Sequence, residues 1–111
     1  MDTYIYNAFV DNVYDGDTIT CTIDCGFGLS MKKQKIRLYE VNCAEVRGKT
    51  RAKGLISRDK LREKILNKNI KIKTIKDKKG KYGRYLGIIY LNDENVNEWL
   101  IENKYATKLN Y

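Results

Sequence analysis

Residues 19–25 have the sequence Ile-Thr-Cys-Thr-Ile-Asp-Cys, in which apolar and polar side chains alternate. Alternation with a period of two predicts a β-strand with one face buried and the other in contact with solvent. The stretch begins directly after Asp15-Gly16-Asp17-Thr18, which has the composition of a tight turn, and ends at Gly26-Phe27-Gly28, which favours a loop. This part of the chain therefore predicts a β-meander.

Working outward from this strand, similar patterns occur on both sides of it. The predicted strands cover residues 4–10, 19–25, 35–39, 70–75 and 85–91. Between the third and fourth strands, residues 50 to about 67 are charged, contain no proline and are rich in helix formers. A helix is predicted there, with Thr50 as its N-cap. Its apolar positions form an imperfect stripe of Ala52, Leu55, Ile56 and Leu66.

A short second helix is predicted after the fifth strand. Asn95 can cap it, and Val96, Trp99 and Leu100 then share one face. Three strands, a helix, two strands and a helix predict a mainly β (α+β) fold, a five-stranded barrel of the OB type. A different mixed α+β sheet is the alternative. With 111 residues there is room for one hydrophobic core, so we expect a single domain over residues 1–111.

The composition limits which partners, catalytic groups and metal ligands the chain can use. The formal net charge of +8 creates a field that attracts polyanions, with nucleic acid foremost, although a lysine-rich surface can also serve solubility alone. No histidine is present, which excludes serine-histidine triads, histidine-ligated zinc and histidine-base nucleases. Oxygen ligands would favour a hard cation such as Ca²⁺ or Mg²⁺. The three cysteines lack metal-ligand spacing and are expected to be free thiols.

Location and assembly are expectations from the same composition. The opening residues Met1-Asp2-Thr3-Tyr4 have neither a basic nor an apolar signal region, so a cytoplasmic location is expected. No apolar run approaches the roughly 18 residues of a membrane span, so no membrane partner is expected. A monomer is expected.

Three stretches carry candidate chemistry, and each has an ordinary alternative. Asp15 and Asp17 crowd two carboxylates into one turn, where a divalent cation would relieve their repulsion, but an Asp-Gly turn is common. Arg37 faces opposite Ile36 and Leu38, so it meets solvent or lines a polar site. Glu45 follows in the next loop and can be a surface carboxylate. Residues 77–84 form a basic, glycine-containing loop that suits a phosphate or simply a soluble hairpin.

Taken together and in this order, these motifs resemble the staphylococcal nuclease (thermonuclease) family. The resemblance runs from about Val13 to about Leu100. It implies an OB barrel and a calcium-dependent phosphodiesterase acting on DNA and RNA. It further implies that Asp17 binds Ca²⁺ directly, that Asp15 lies near the metal, and that Cys43 contributes its backbone carbonyl.

The resemblance also implies the remaining roles. Glu45 matches the general base or water-positioning acid, whereas Arg37 and Arg84 match arginines that grip the phosphoryl oxygens. Lys81 and Tyr82 match residues that touch a nucleotide phosphate. A carboxylate base requires no histidine, and guanidinium groups stabilise charge that gathers at a phosphodiester transition state.

The chain departs from the family pattern at three places. Asn42 stands where the family has an aspartate as second metal ligand, and Ala44 stands where a proline is usual. An amide oxygen can still coordinate Ca²⁺, with one charge fewer. The stretch from Thr22 to Ile36 is longer than usual. Two rival functions are a non-catalytic nucleic-acid-binding module of the same fold and an interaction protein whose nine tyrosines anchor an interface.

Overall fold

The computed structural model describes residues 4–44, 46, 48–79 and 85–109. The strands are β1 (Ile5–Asp15), β2 (Thr18–Gly26), β3 (Leu29–Leu38), β4 (Val41–Asn42), β5 (Asn69–Lys79), β6 (Tyr85–Leu91), β7 (Glu94–Asn95) and β8 (Thr107–Lys108). The helices are α1 (Arg51–Ile65), which follows a 3₁₀ turn at Gly48–Thr50, and α2 (Val96–Glu102). All five predicted strands and both predicted helices are present. The two-residue strands β4, β7 and β8 were missed because so short a pairing leaves no periodic pattern.

The main sheet has the strand order β3-β2-β1-β5-β6-β7, and an additional pairing of β3 with β6 closes it. That closing pairing is parallel and places Arg37 beside Leu86 and Leu38 beside Gly87. The pairings of β1 with β2, β2 with β3, β1 with β5 and β5 with β6 are antiparallel. The five strands β1, β2, β3, β5 and β6 therefore form a closed barrel, which confirms the predicted OB-type fold.

Three strands are clearly longer than predicted, and one of them, β5, continues to Lys79, into the stretch predicted as a basic loop. β1 continues to Asp15 through register irregularities between Val10 and Asn12 and between Val13 and Asp15. β3 begins at Leu29 and has an irregularity opposite Cys21 and Ile23 of β2. Such bulges shift the inward and outward alternation of side chains, which is the pattern on which the sequence prediction depended.

The barrel interior is apolar and receives side chains from the strands and from both helices. Its buried residues are Ala8, Val10, Val13, Ile19, Cys21, Ile36, Leu38, Val41, Leu61, Ile65, Ile70, Ile72, Ile89, Val96, Leu100 and Ala106. No helix among the described residues is long and apolar enough to cross a membrane. All three cysteines are free, as predicted.

The predicted apolar stripe of α1 was wrong. Ala52 and Ile56 are exposed, and Leu55 and Leu66 are only partly buried. The buried residues are instead Gly54, Ser57, Leu61 and Ile65. They follow one another at the three- or four-residue spacing of a helix face, but two of them are not apolar. The first half of α1 packs closely through small side chains, which a search for an apolar stripe does not detect.

Helix α2 stabilises the closing seam, the parallel pairing of β3 with β6, through the buried side chain of Asn97. The Asn97 side-chain oxygen accepts a hydrogen bond from the Ile89 N–H at 3.0 Å. Its amide nitrogen donates to the Tyr39 carbonyl at 3.1 Å and to the Gly87 carbonyl at 3.2 Å. One side chain thus satisfies backbone groups on β6 and on the segment that follows β3. The same helix begins at Asn95, whose side chain accepts from the Glu98 N–H at 3.0 Å, as the predicted cap requires.

We predict that Asn97→Ala lowers the free energy of unfolding by about 3 kcal/mol, because buried backbone groups lose their partners. The matched variant Asn95→Ala on the same helix removes only an exposed cap and should cost about 1 kcal/mol. Urea denaturation of both variants measures the difference. An Asn97→Ala variant as stable as Asn95→Ala would contradict the role of Asn97 in closing the barrel.

Candidate active site

The acidic turn between β1 and β2 is held at the end of the barrel by close packing around Gly16. A Cβ atom added at Gly16 would lie 2.5 Å from the Cys43 Sγ and 2.9 Å from the Ser57 Cβ. Glycine is therefore required for the turn to pass this close to the segment after β4 and to helix α1. The position of this glycine fixes where the flanking carboxylates of Asp15 and Asp17 lie.

The Asp17 carboxylate is the centre of the site. It forms an ion pair with Arg37 at 2.6 Å, measured from Nη1 to Oδ2. The backbone N–H of Cys43 donates to the same carboxylate at 2.9 Å, and the Thr18 hydroxyl donates to it at 3.2 Å. The side chains of Arg37 and Asp17 are only 14% and 10% exposed. Arg37 thus lines a polar site, one of the two alternatives that its place on a strand allowed.

Strand register explains why Arg37 meets Asp17. Thr18, the first residue of β2, pairs with Arg37 near the end of β3. The Arg37 Nη1 also lies 3.4 Å from the Asp17 carbonyl oxygen. A guanidinium group carries five N–H donors, so this pairing leaves others that can bind an additional anion.

Asp15 lies beside Asp17, and the pKa of its carboxyl group is raised. Its Oδ1 accepts a hydrogen bond from the Asp17 N–H at 3.0 Å. Burial, followed by the side-chain hydrogen bond to Asp17 and the charge of Asp17, raises the pKa of Asp15 from 3.8 to about 7. Two carboxylates that resist joint ionisation in this way are suited to a hard cation, which relieves their repulsion.

The nearby thiol is not suited to act as a nucleophile. The Cys43 Sγ lies 3.4 Å from the Tyr105 carbonyl oxygen. Burial, together with the charges of Asp17 and Asp15, raises the pKa of Cys43 to about 12. Because the thiolate is the reactive form, Cys43 is inert as a nucleophile at neutral pH.

Helix α1 supports the site through two polar residues that the sequence analysis missed. The Ser57 hydroxyl donates to the Tyr105 carbonyl at 2.6 Å. Arg62 donates to the Val13 carbonyl from Nε at 3.1 Å and from Nη2 at 3.0 Å, which holds the end of β1 just before the acidic turn. The signal was the spacing of Gly54, Ser57 and Leu61, whose small members were not recognised as a packing face.

The other predicted site residues divide into two groups. Asn42 is exposed on β4, and its backbone carbonyl accepts from the Thr107 hydroxyl at 3.3 Å. Glu45, Lys81, Tyr82 and Arg84 lie outside the described residues. The chain re-enters the described part at Tyr85, which pairs with Ile36 next to Arg37. The structure therefore brings together Asp15, Asp17, Arg37 and Cys43.

The donor chemistry of the described residues fits a hard cation. Asp15 and Asp17 offer carboxylate oxygens, and the neighbouring Cys43 thiol is protonated. Among the residues that the structure describes, no three acidic, histidine or cysteine side chains are grouped as a metal cage. A site with two carboxylates resembles those that leave coordination positions to backbone oxygens, water or a phosphate.

Comparison with known proteins gives two findings. Residues 35–111 match the sequence model of the family described as Staphylococcal nuclease homologue. The chain is also similar to a Haemophilus influenzae protein described as an uncharacterized endonuclease, with 29% identity over 97 residues. That alignment covers 87% of this chain and 49% of the relative, so the chain spans about half the length of the curated relative it matches.

The raised pKa of Asp15 predicts a pH-dependent stability. The folded protein holds the proton up to about pH 7, whereas the unfolded chain releases it near 3.8, so stability is lost as the pH rises through this interval. Asp15→Asn keeps the side-chain oxygen that accepts from Asp17 and removes the titration. In a chelator at pH 8, Asp15→Asn should melt higher than the parent by about 4 °C, roughly 1 kcal/mol for a domain of this size.

At pH 4 the Asp15→Asn variant and the parent should melt together, since Asp15 is then protonated in the fold. Asp93→Asn, which also replaces an aspartate at a position where asparagine is tolerated (φ 70°), controls for the loss of one acidic group. An equal difference between Asp15→Asn and the parent at pH 4 and pH 8 would contradict the assignment.

Proposed function

The chain belongs to the staphylococcal nuclease homologue family, and we propose that it is a calcium-dependent nuclease that hydrolyses phosphodiester bonds in DNA or RNA. The observation that carries the proposal is the buried pairing of Asp17 with Arg37, next to a second carboxylate, Asp15. This arrangement offers a place for a cation and a place for a phosphate side by side. The endonuclease description of the Haemophilus influenzae relative supports the same reaction class.

In this proposal Asp17, Asp15, the Asn42 side chain and the backbone carbonyl of Cys43 hold Ca²⁺. When bound, the cation supplies a positive charge that polarises a phosphoryl oxygen and favours attack by water. Asp17 is held in place for this role by the Cys43 N–H and by Arg37. The exposed position of Asn42 leaves its amide oxygen accessible to an ion.

Arg37 and Arg84 are proposed to bind the phosphoryl oxygens. Arg37 is fixed by its ion pair with Asp17, so its remaining N–H donors are already oriented and little entropy is lost when an anion arrives. Partial burial of the guanidinium group strengthens this interaction, because fewer water molecules compete for it. Arg84, Lys81 and Tyr82, which directly precede β6 in the sequence, are proposed to bind the substrate.

Glu45 is the proposed general base. A carboxylate can accept the proton of the attacking water without a histidine, provided that it lies within hydrogen-bond reach of that water. The raised pKa of Asp15 makes this residue the alternative proton acceptor, but binding of a cation to Asp15 would remove its basicity. We therefore assign the base role to Glu45 and the metal role to Asp15.

The main rival is a module of the same fold that binds nucleic acid without cutting it. Such a module needs basic and aromatic side chains, and carboxylates would oppose its ligand. Here Asp17 pairs with the arginine of β3, and a second carboxylate, Asp15, lies next to Asp17. Without a cation they would repel a phosphate, so the site suits catalysis better than simple binding.

The proposal is tested by incubating the protein with single-stranded DNA and, separately, RNA in the presence of Ca²⁺ or of a chelator. Cleavage that requires Ca²⁺ supports the nuclease. Binding without cleavage under both conditions would favour the rival module. Cleavage that persists in the chelator would overturn the metal assignment.

We predict that Glu45→Gln reduces kcat at least a hundredfold with little change in substrate affinity, because the amide keeps the shape of the side chain but cannot accept a proton. Glu98→Gln, an exposed substitution on α2, is the matched control and should leave kcat unchanged. The measurement is steady-state cleavage over a range of substrate concentrations, which gives kcat and KM separately. An unchanged rate in Glu45→Gln would remove Glu45 from the mechanism.

Asn42→Asp should strengthen Ca²⁺ binding, since it adds a full negative charge at a ligand position. A gain of about 1 to 2 kcal/mol would lower the calcium needed for half-maximal cleavage roughly tenfold. Without Ca²⁺ the added charge repels Asp15 and Asp17, so the variant should melt lower and gain more from calcium than the parent.

The matched control for Asn42→Asp is Asn7→Asp, which adds the same charge at an exposed position on β1. Calcium titrations of cleavage and of melting temperature measure both effects. If the curves of Asn42→Asp and the parent superimpose, Asn42 is not a calcium ligand.

A further inference from the structure

The hairpin of β2 and β3 connects the candidate active site to a distant tip. At one end Thr18 pairs with Arg37, and at the other Gly26 pairs with Leu29. Eight residue steps along β2, at about 3.3 Å each, separate the ends by about 26 Å. This hairpin contains the stretch from Thr22 to Ile36 that is longer than usual for the resembled family, so its outer half is a feature of this chain.

Phe27 at the tip makes no contribution to folding that would explain an aromatic residue there. Phe27 is fully exposed. Its backbone is left-handed, with a φ of 55°, and lies between two glycines that are also left-handed. A bulky residue in this conformation is strained, and glycine or asparagine would fit it better. An exposed, strained aromatic side chain indicates a function other than stability.

An exposed apolar side chain lies at the tip, and basic side chains lie along β3 between the tip and the candidate active site. Leu29 is 64% exposed, and Lys32, Lys33 and Lys35 are exposed along β3. Lys33 is left-handed, with a φ of 55°, at the irregularity of the hairpin, and a bulge of this kind redirects side chains. The only acidic residue from 24 to 37 is Asp24. The hairpin therefore offers an exposed aromatic ring at its tip and positive charges between this tip and Arg37.

The inner face of the same hairpin borders an apolar groove of about 290 Å³. Ile23, Cys25 and Met31 of the hairpin line it, together with Tyr6 and Tyr85 from neighbouring strands. The groove also includes Ile36, which is buried and faces the opposite side of β3 from Arg37. The groove is therefore an apolar, tyrosine-lined surface on the inner face of the hairpin, separate from the candidate active site.

We propose that this hairpin is a substrate arm that binds single-stranded nucleic acid at a distance from the site of cleavage. Phe27 stacks on a base, and Lys32, Lys33 and Lys35 contact phosphates of the same strand. A strand stacked at about 3.4 Å per nucleotide needs about eight nucleotides to reach from Arg37 to Phe27. The choice of nucleic acid as the ligand rests on the proposed nuclease function.

Charge and position favour nucleic acid over other occupants of the tip. A second copy of this basic chain would bring its own lysines against these lysines, which opposes association. An anionic membrane would contact the exposed tip alone and would give no role to Lys35, which pairs with Thr20 only two residues from Arg37. A nucleic-acid strand that extends from the tip to Arg37 contacts the aromatic ring and the lysines together.

The test measures binding in a chelator, where no cleavage is expected, by fluorescence anisotropy of a labelled 18-nucleotide single strand. Phe27→Asn suits the left-handed backbone and should melt at or above the parent temperature. It should nevertheless bind about tenfold more weakly, which corresponds to the loss of one stacked base. Ile56→Gln, which removes an exposed apolar side chain from α1, should bind as the parent does.

A second pair of variants tests the lysines. Lys33→Asn and Lys104→Asn each remove one exposed positive charge from a left-handed position, with φ values of 55° and 62°. Lys33→Asn should reduce the slope of log K against log salt by about 0.7, as expected for one lost phosphate contact to a single strand. Lys104→Asn should leave the slope unchanged.

The outcomes separate this proposal from the proposed function. Binding that depends on Phe27, in a protein that never cuts, supports the arm and overturns the nuclease. Calcium-dependent cutting with unchanged binding by Phe27→Asn overturns the arm and leaves the nuclease standing. Phe27-dependent self-association in light scattering, or Phe27-dependent sedimentation with phosphatidylserine vesicles, with oligonucleotide binding unaltered, would also overturn the arm.

Discussion

The pairing of the Asp17 carboxylate with Arg37 is the interaction on which the site depends. It joins the β1–β2 turn to the end of β3, and the Cys43 N–H extends it to the segment after β4. An ion pair this little exposed to solvent loses hydration on folding, and removal of one partner would leave an uncompensated charge. Its geometry is therefore held by the closed barrel and by Gly16, whose lack of a side chain lets the turn approach Cys43 and Ser57.

The closed barrel holds the two residues of this ion pair in fixed positions. Arg37 lies where β3 pairs with both β2 and β6, and Asn97 fastens the closing seam one residue beyond Leu38. Helix α1 packs against β1 and holds the end of that strand through the hydrogen bond from Arg62 to the Val13 carbonyl. Preorganisation of this kind benefits a charged site, because groups that are already oriented lose little entropy when an ion or a phosphate arrives.

Much of this arrangement could be predicted from the sequence. Alternation along residues 19–25 and 35–39 located barrel strands, and Asn95 was recognised as a cap. The order of Asp15, Asp17 and Arg37 indicated the site. The packing face of α1 was missed, because a search for apolar residues does not detect Gly54 and Ser57, which are buried without apolar side chains. The full lengths of β1 and β3 were also missed, since their bulges interrupt the alternation.

The central claim is that the Asp15–Asp17 turn binds calcium next to Arg37, and calorimetric titration of Ca²⁺ at pH 8 without substrate tests it most directly. The parent should bind calcium at this turn, whereas Asp17→Asn should bind it at least tenfold more weakly while retaining a cooperative melting transition. Asp24→Asn, an exposed substitution on the outer hairpin, should bind as the parent does. Calcium binding by folded Asp17→Asn with the affinity of the parent would contradict the account.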